Sequence, residues 1–406
     1  MKILWMKAGG VVPCDTGGKI RSFQILRELS RRHEVTLFTF YPEHPNDEHP
    51  RLAGFAEVIA VPVPVPRTRT SDDYLLYARR LFSSHPYSME KFYSPEVRRK
   101  AAAVQARNDF DLLVCDFVSP AGLVEWRRPV PKILFTHNVE AQIWERQFRL
   151  TSNPLWKLVY WREARLLARA EERYVQLADH VLTVSENDRA FFRNYVLPEK
   201  ISAIPTGVDV EYFRPGGAQE DARSIVFTGS MDWMPNDDGM LFFAQAILPK
   251  IHQEEPEAKL SVVGRRPTKR VQALAGARIE VTGAVDDIRP YVDRARVYVV
   301  PLRSGSGTRL KIFEAMAMGK AVVSTTLGAE GLPVTHGRDI LIADTPTDFA
   351  AAVLRVLRDR ELAARLGSEA RKLVESKHGW PAVVDCFEPI FQKVTAGAAA
   401  RMRLAR

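Results

Sequence analysis

At 406 residues the chain is too long for one ordinary core and suits two domains; 46% hydrophobic and 26% charged residues give the balance of a globular protein. No apolar run approaches the roughly 18 residues that span a bilayer, which excludes an integral membrane protein of the helical kind. The net charge of +9, from 58 basic and 49 acidic residues, calls for an anionic partner. The basic residues are scattered and no nucleic-acid-binding module is visible, so the expected partner is a phosphate-bearing substrate or an anionic membrane surface, not nucleic acid.

In chain order, residues 1–6 form an apolar run that reads as a first strand and not as a secretory signal. A glycine pair, Gly17 and Gly18, precedes a helical pattern over 20–32 and a β-rich run over 34–40. Strands are predicted at 58–65, 112–115, 132–136 and 180–184, with helical stretches between several of them. Residues 153–177 form a long, Arg-rich helical pattern carrying Trp156, Tyr160 and Trp161. Two prolines and three glycines in 204–217 interrupt the periodicity and mark a linker. The alternation then restarts, with strands at 224–228, 259–263, 279–281, 297–300 and 321–325 and helices at 239–251 and 311–318. Strands alternating with helices predict parallel sheets covered on both faces. Three separated cysteines, Cys14, Cys115 and Cys386, have no metal spacing and suit a reduced, cytoplasmic protein.

Three places could carry chemistry. Gly17 and Gly18 open a helix just past the first strand, where free N–H groups and close backbone approach suit a phosphate or a polar sugar edge; no G-x-G-x-x-G is present. His137 stands past a predicted strand, where α/β folds place functional side chains; a packed structural histidine is the alternative. The strongest signal is VYVVPLRSGSGTRLKIFEAMAMGKAVVS: a strand, a Ser/Gly loop over 304–308, then a helix from about Leu310. Gly305 and Gly307 permit close approach, the first helical N–H groups would hold a diphosphate, and Arg303, Arg309 and Lys311 add cations. Glu314, one turn into that helix, is placed to accept hydrogen bonds from a vicinal diol, and the helix start and its cations should keep it ionised. The pairs Asp72–Asp73, Asp237–Asp238 and Asp286–Asp287 lack a third ligand and read as solvated turn residues, so no metal is expected.

That stretch resembles the signature of the family-4 glycosyltransferases. So do GGKIRSFQILRELSRRHEVTLFT, ADHVLTVSENDRAFF, ISAIPTGVDVEYFRP and HGRDILIADTPTDFAAAVLRVL, in the same order, so the resemblance covers nearly the whole chain. It implies a GT-B fold: two Rossmann-like α/β domains with parallel sheets facing a central cleft that binds a nucleotide-diphosphate sugar. It also implies a retaining reaction without metal or other cofactor. Glu314 would hold the donor ribose, and Ser306, Gly307, Thr308, Arg309 and Leu310 would meet the diphosphate and the transferred sugar. Gly17 and Gly18 would line the donor cleft, and His137 would sit beside the sugar.

Two departures stand out. The family motif has two glutamates separated by seven residues, and Ser306 occupies the first position, which bears on the identity of the donor sugar. After strand 224–228 the family has an Arg and then a Lys, whereas this chain reads Gly229-Ser230-Met231-Asp232-Trp233-Met234-Pro235-Asn236. Arg265 and Arg266, with Arg309 and Lys311, are the candidate replacements, a pair of solvated arginines being the alternative for the first two.

The expected organisation is an acceptor-side domain over 1–203, a linker over 204–220, a nucleotide-sugar domain over 221–380 and a C-terminal helix over 381–406 that crosses back to the first domain. The expected function is transfer of a hexose to a carbohydrate or lipid-linked acceptor in polysaccharide or glycolipid synthesis. The Trp-bearing basic helix over 156–173 suits peripheral contact with the inner face of an anionic membrane, a packed core helix being the alternative. A nucleotide-sugar epimerase and a degenerate nucleotide-sugar-binding subunit are the competing functions.

Overall fold

The computed structural model describes residues 1–14, 16–42, 52, 54–66, 70–304 and 310–404. They fall into two compact units, Met1–Pro205 with Val383–Arg406, and Thr206–Ala382.

The first unit is built on seven strands: β1 (Lys2–Ala8), β2 (Glu34–Pro42), β3 (Glu57–Val63), β4 (Leu112–Asp116), β5 (Lys132–Phe135), β6 (His180–Thr183) and β7 (Ile201–Ala203). They pair in parallel in the order β3-β2-β1-β4-β5-β6-β7. The central strands are apolar and buried on both faces, as a sheet covered by helices requires. Strand order reverses between β1 and β4, so the loops leaving these strands diverge and open a crevice at their carboxyl ends. The loop after β1 enters helix Gly17–Leu29, where Thr16 Oγ1 accepts the Lys19 N–H at 3.4 Å. Helix Pro154–Leu177 starts equally clearly. Asn153 Oδ1 accepts from Leu155 and Trp156 N–H at 3.0 and 3.2 Å, and Pro154 occupies a position that needs no donor. The last helix, Glu388–Leu404, belongs to this unit, with Lys393 Nζ donating to Glu199 O at 2.8 Å.

The second unit has six strands: β8 (Asp221–Thr228), β9 (Lys259–Val263), β10 (Ile279–Gly283), β11 (Ala295–Val300), β12 (Ala321–Ser324) and β13 (Leu341–Ile342). They are parallel in the order β10-β9-β8-β11-β12-β13, with the reversal between β8 and β11. Residues from Thr206 onward pack within this unit, where Val208 N–H donates to His378 O at 2.7 Å.

The sequence periodicity misplaced some boundaries. The helix expected over 239–251 begins earlier, at Met234, because Pro235 in a first turn costs no hydrogen bond. It runs through a π-helical stretch, Phe243–Ile247, before Leu248–Glu254. Pro249 has no N–H for the carbonyl four residues back, which is the local reason for the irregularity. Strand β3 stops at Val63 because Pro64 has no donor for the ladder, and Pro62 within it is tolerated because β3 is an edge strand. Strands β7 and β13 are too short to show an alternating pattern and were not foreseen.

Candidate functional site

At the β1–β4 reversal of the first unit the strands end in charge. Asp116 closes β4 and is fully buried; Lys7 Nζ lies 3.4 Å from its Oδ2, and Trp5 Nε1 donates to the same oxygen at 2.9 Å. His137, just past β5, brings Nε2 to 2.7 Å from Asp116 Oδ1. On its other side Arg21 Nη1 stands 3.4 Å from His137 Nδ1. Burial alone would raise the Asp116 carboxyl, but Lys7 and His137 together hold it well below the usual carboxylate range. Burial pushes His137 down to about 4 despite Asp116, so its imidazole is neutral at physiological pH. Phe117 stacks on that imidazole with centroids 3.9 Å apart, and Lys7 Nζ lies 4.3 Å from the centre of the Phe117 ring. Gly18 is required here by space: a Cβ on it would meet Phe117 Cζ at 2.8 Å.

A cavity of about 340 Å³ opens beside this cluster, lined by Lys7, Gly18, Lys19, Asn138 and Glu140 among others. Of the sequence-predicted residues, Gly18 reaches it, Gly17 is exposed, and His137 is buried behind its neighbours Asn138 and Glu140. Glu140 starts helix Glu140–Leu150, and its carboxyl is pushed up to about 7 by burial, which outweighs Lys7 and Lys91. The backbone N–H of Glu140 donates to Glu171 Oε1 at 2.6 Å. Glu171 is itself raised to about 8, by burial and then by the charge of Glu140.

In the second unit the loops after β8 and β9 touch. A Cβ at Gly264 would fall 1.9 Å from Gly229 O, so only glycine allows this approach. Lys311, on helix Leu310–Ala317 after β11, reaches across to donate to Asn236 Oδ1 at 2.8 Å, and its Nζ lies 4.1 Å from the centre of the Phe227 ring. Asn236 Nδ2 in turn donates to Ser230 O at 2.8 Å. Arg265 Nε donates to Ser230 Oγ at 3.0 Å, and Arg266 Nη1 to Asp232 Oδ2 at 3.0 Å. Three of the predicted cations, Lys311, Arg265 and Arg266, thus gather on the 229–236 loop. Arg303 is drawn elsewhere, pairing with Asp238 at 2.6 Å. Ser306, Gly307, Thr308 and Arg309 lie outside the described residues.

Glu314 is half-buried on the same helix, whose neighbouring Ile312, Phe313, Ala315 and Met316 are in the core. Its carboxyl is not held fully ionised, contrary to expectation: burial pushes it up to about 7, which the nearby Lys311 only partly offsets. The two acidic pairs of this unit are occupied, Asp237 by Thr268 and Asp287 by Arg289. Among the described residues, no three His, Cys, Asp or Glu side chains are grouped to hold a metal ion, and no helix is long and apolar enough to cross a membrane.

Residues 16–212 match the Glycosyltransferase Family 4 domain, and residues 222–359 the Glycosyl transferases group 1 domain. The chain belongs to the family-4 glycosyltransferases. A protein of the cps region of Klebsiella pneumoniae is 22% identical over 87% of this chain and 90% of its own length. A phosphatidyl-myo-inositol mannosyltransferase of Mycobacterium tuberculosis is 30% identical over 50% of this chain, so the match spans only 56% of that enzyme. Among solved structures, the sucrose-phosphate synthase of Thermosynechococcus elongatus superposes with a TM-score of 0.71 at 19% identity, covering 98% of this chain and all of that one. Anabaena HepE in complex with UDP gives 0.66 at 15% identity, covering 97% of this chain and 100% of that one. The two parallel-sheet units are those of the GT-B fold.

Five residues of this glycosyltransferase's two strand-end clusters escaped the sequence reading: Lys7, Arg21, Asp116, Glu140 and Asn236. Lys7 and Asp116 had a usable signal, a charged residue in the last two positions of a strand whose middle is apolar. Glu140 stands three residues after His137 but gains its meaning from burial, and Asn236 from a contact with Lys311 that is distant in sequence.

Proposed function

We propose that this glycosyltransferase moves a hexose from a nucleotide-diphosphate sugar to a hydroxyl acceptor with retention of configuration, in cell-surface polysaccharide or glycolipid synthesis. The observation that carries the reading is the gathering of Lys311, Asn236, Arg265 and Arg266 where β8, β9 and β11 end. Parallel α/β sheets bind ligands at such a reversal, and a leaving diphosphate needs fixed donors and cations there. Lys311 and Arg265 are assigned to the diphosphate, in place of the Arg and Lys that the loop after β8 lacks. Glu314 is assigned to the ribose diol, its raised pKa meaning that it binds best once ionised. Ser306 is assigned to reading the donor sugar.

The sugar would depart through an oxocarbenium-like state while the acceptor attacks from the same face. The protein's work is then to stabilise the departing charge and to position the acceptor. Because cations and N–H groups supply that stabilisation, the reaction is proposed to need no metal. In the first unit a neutral, buried His137 is proposed as a positioning residue behind Asn138 and Glu140, and the cavity that these two line is assigned to the acceptor. Support for this choice of substrates comes from the relatives: Anabaena HepE has been crystallised with UDP and with UDP-glucose, and the mycobacterial relative is named as a phosphatidyl-myo-inositol mannosyltransferase. The family matches favour neither an epimerase nor a non-catalytic subunit.

The test is calorimetric titration with UDP, GDP and ADP, followed by assay of the corresponding donor sugars with and without EDTA. One nucleotide should bind, and its sugar donor should be consumed with release of nucleoside diphosphate whether or not EDTA is present. Conversion of the sugar without release, or activity abolished by EDTA and restored by Mg²⁺, would contradict the reading.

A further inference from the structure

The first unit holds a second, larger cavity of about 670 Å³, within the usual range of small-molecule sites. Its wall is largely aromatic, with Tyr74, Tyr77, Tyr87, Trp144, Trp156 and Tyr160 from helices Ser71–Arg79, Tyr87–Glu90, Glu140–Leu150 and Pro154–Leu177, and it also carries Asp73 and Lys91. Two of the tyrosine hydroxyls are already engaged, Tyr87 donating to Asp73 Oδ1 at 2.6 Å and Tyr77 to Glu163 Oε1 at 3.4 Å. What these rings offer the cavity is apolar surface more than hydrogen bonds. Ile143 and Trp144 line both this cavity and the mixed one beside Lys7 and Glu140, so the two are neighbours.

Exposed apolar side chains continue along the helix from the cavity's edge at Leu155. Leu155 lines the cavity and is 76% exposed, and Leu158, three residues on, is 62% exposed. Trp161 follows at the same spacing, with the Arg165 guanidinium 4.6 Å from the centre of its ring. Arg162 donates to the carbonyls of Arg80, Leu81 and Ser83 at 3.1, 3.1 and 2.8 Å. It thereby pins to this helix the turn that carries Phe82, which is 97% exposed. Exposed leucine, tryptophan and phenylalanine beside an arginine is the makeup of a surface that meets lipid.

We propose that the aromatic cavity takes the hydrocarbon chain of an amphiphilic, lipid-linked acceptor whose polar end occupies the adjoining cavity by Lys7 and Glu140. This rests on the transferase reading above and names the acceptor class for it. A cavity that carries Lys7, Lys19, Asn138 and Glu140 beside a largely aromatic one, with exposed leucine at its edge, fits a molecule with a polar end and an apolar one. A free oligosaccharide would stack on the rings but leave the exposed aliphatic surface of Leu155 and Leu158 uncovered.

The probes are n-butyl, n-octyl and n-decyl β-D-glucosides below their micelle thresholds, titrated against the full chain and followed by tryptophan fluorescence and calorimetry. Affinity should rise with chain length, up to about threefold to fourfold for each methylene fully buried. Val159→Trp, which fills the cavity from its own wall, should flatten that dependence while leaving UDP affinity unchanged. Should Val159→Trp fail to fold, Leu155→Asp at the exposed rim should weaken the longer chains selectively. Equal affinity for all three glucosides, or a chain-length dependence that survives in a folded Val159→Trp, would overturn the proposal. UDP titration keeps the two ideas apart: chain binding without nucleotide binding removes the transferase reading, and nucleotide binding without chain binding removes only this one.

Discussion

In the first unit Lys7, Asp116, His137 and Arg21 are buried together and answer one another, so their charges are settled inside the protein. In the second, Lys311 is half-buried and Arg265 and Arg266 are exposed, held by an amide oxygen, a hydroxyl and one exposed carboxylate. Both clusters stand at the carboxyl ends of strands flanking a reversal, yet they suit different work. A closed network fixes the positions of groups around it at a large cost in desolvation. Cations that are half-buried or exposed are already partly solvated, and charge-assisted bonds to phosphate are stronger than bonds to an amide or a hydroxyl. The first cluster has the makeup of scaffold, and the second is the one proposed for a charged ligand.

The comparison breaks most visibly at Asp116. Asp116→Ala leaves Lys7 buried without a counter-charge and should cost about 3–5 kcal/mol in urea unfolding. The double substitution Lys7→Met with Asp116→Leu should recover most of it. A loss below about 1 kcal/mol would show that the network is not closed.

Lys311→Met tests the other side. It should lower nucleoside diphosphate affinity on the order of 10- to 100-fold, the value of a hydrogen bond to a charged group, with little change in stability. An equal loss of stability and of affinity would make Lys311 scaffold too.

The smallest effect belongs to Glu171, raised to about 8 in the folded protein from an ordinary value of 4.5. The folded state keeps a proton that the unfolded chain releases, so this contribution is complete below about pH 4.5 and is lost as pH rises through about 8. Unfolding midpoints of wild type should therefore fall over that interval, and Glu171→Gln should reduce the fall, by about 1 kcal/mol or more. Parallel curves would place Glu171 in a wetter setting than the one described here.

The sequence carried the α/β alternation because buried parallel strands are continuous apolar runs and their helices keep an amphipathic period. It showed Glu314 and Lys311 through their place after a Gly-rich loop. It was silent on why they matter together with Asn236 and Arg265, since those contacts join loops that follow three different strands. It also misjudged the ionisation of Glu314: the helix start and Lys311 are visible in sequence, while the burial that outweighs them is not. The aromatic cavity was hidden for the same reason, its rings coming from four helices spread over residues 71–177.

The central claim is that the second unit binds the nucleotide through Glu314. Its most direct test is UDP affinity by calorimetry at about pH 8, above the raised pKa near 7, for wild type and Glu314→Ala. Loss of one or two hydrogen bonds to a charged acceptor should weaken binding on the order of 10- to 1,000-fold, with an unchanged circular-dichroism spectrum. Equal affinities for two well-folded proteins would remove Glu314 from the donor site and contradict the account.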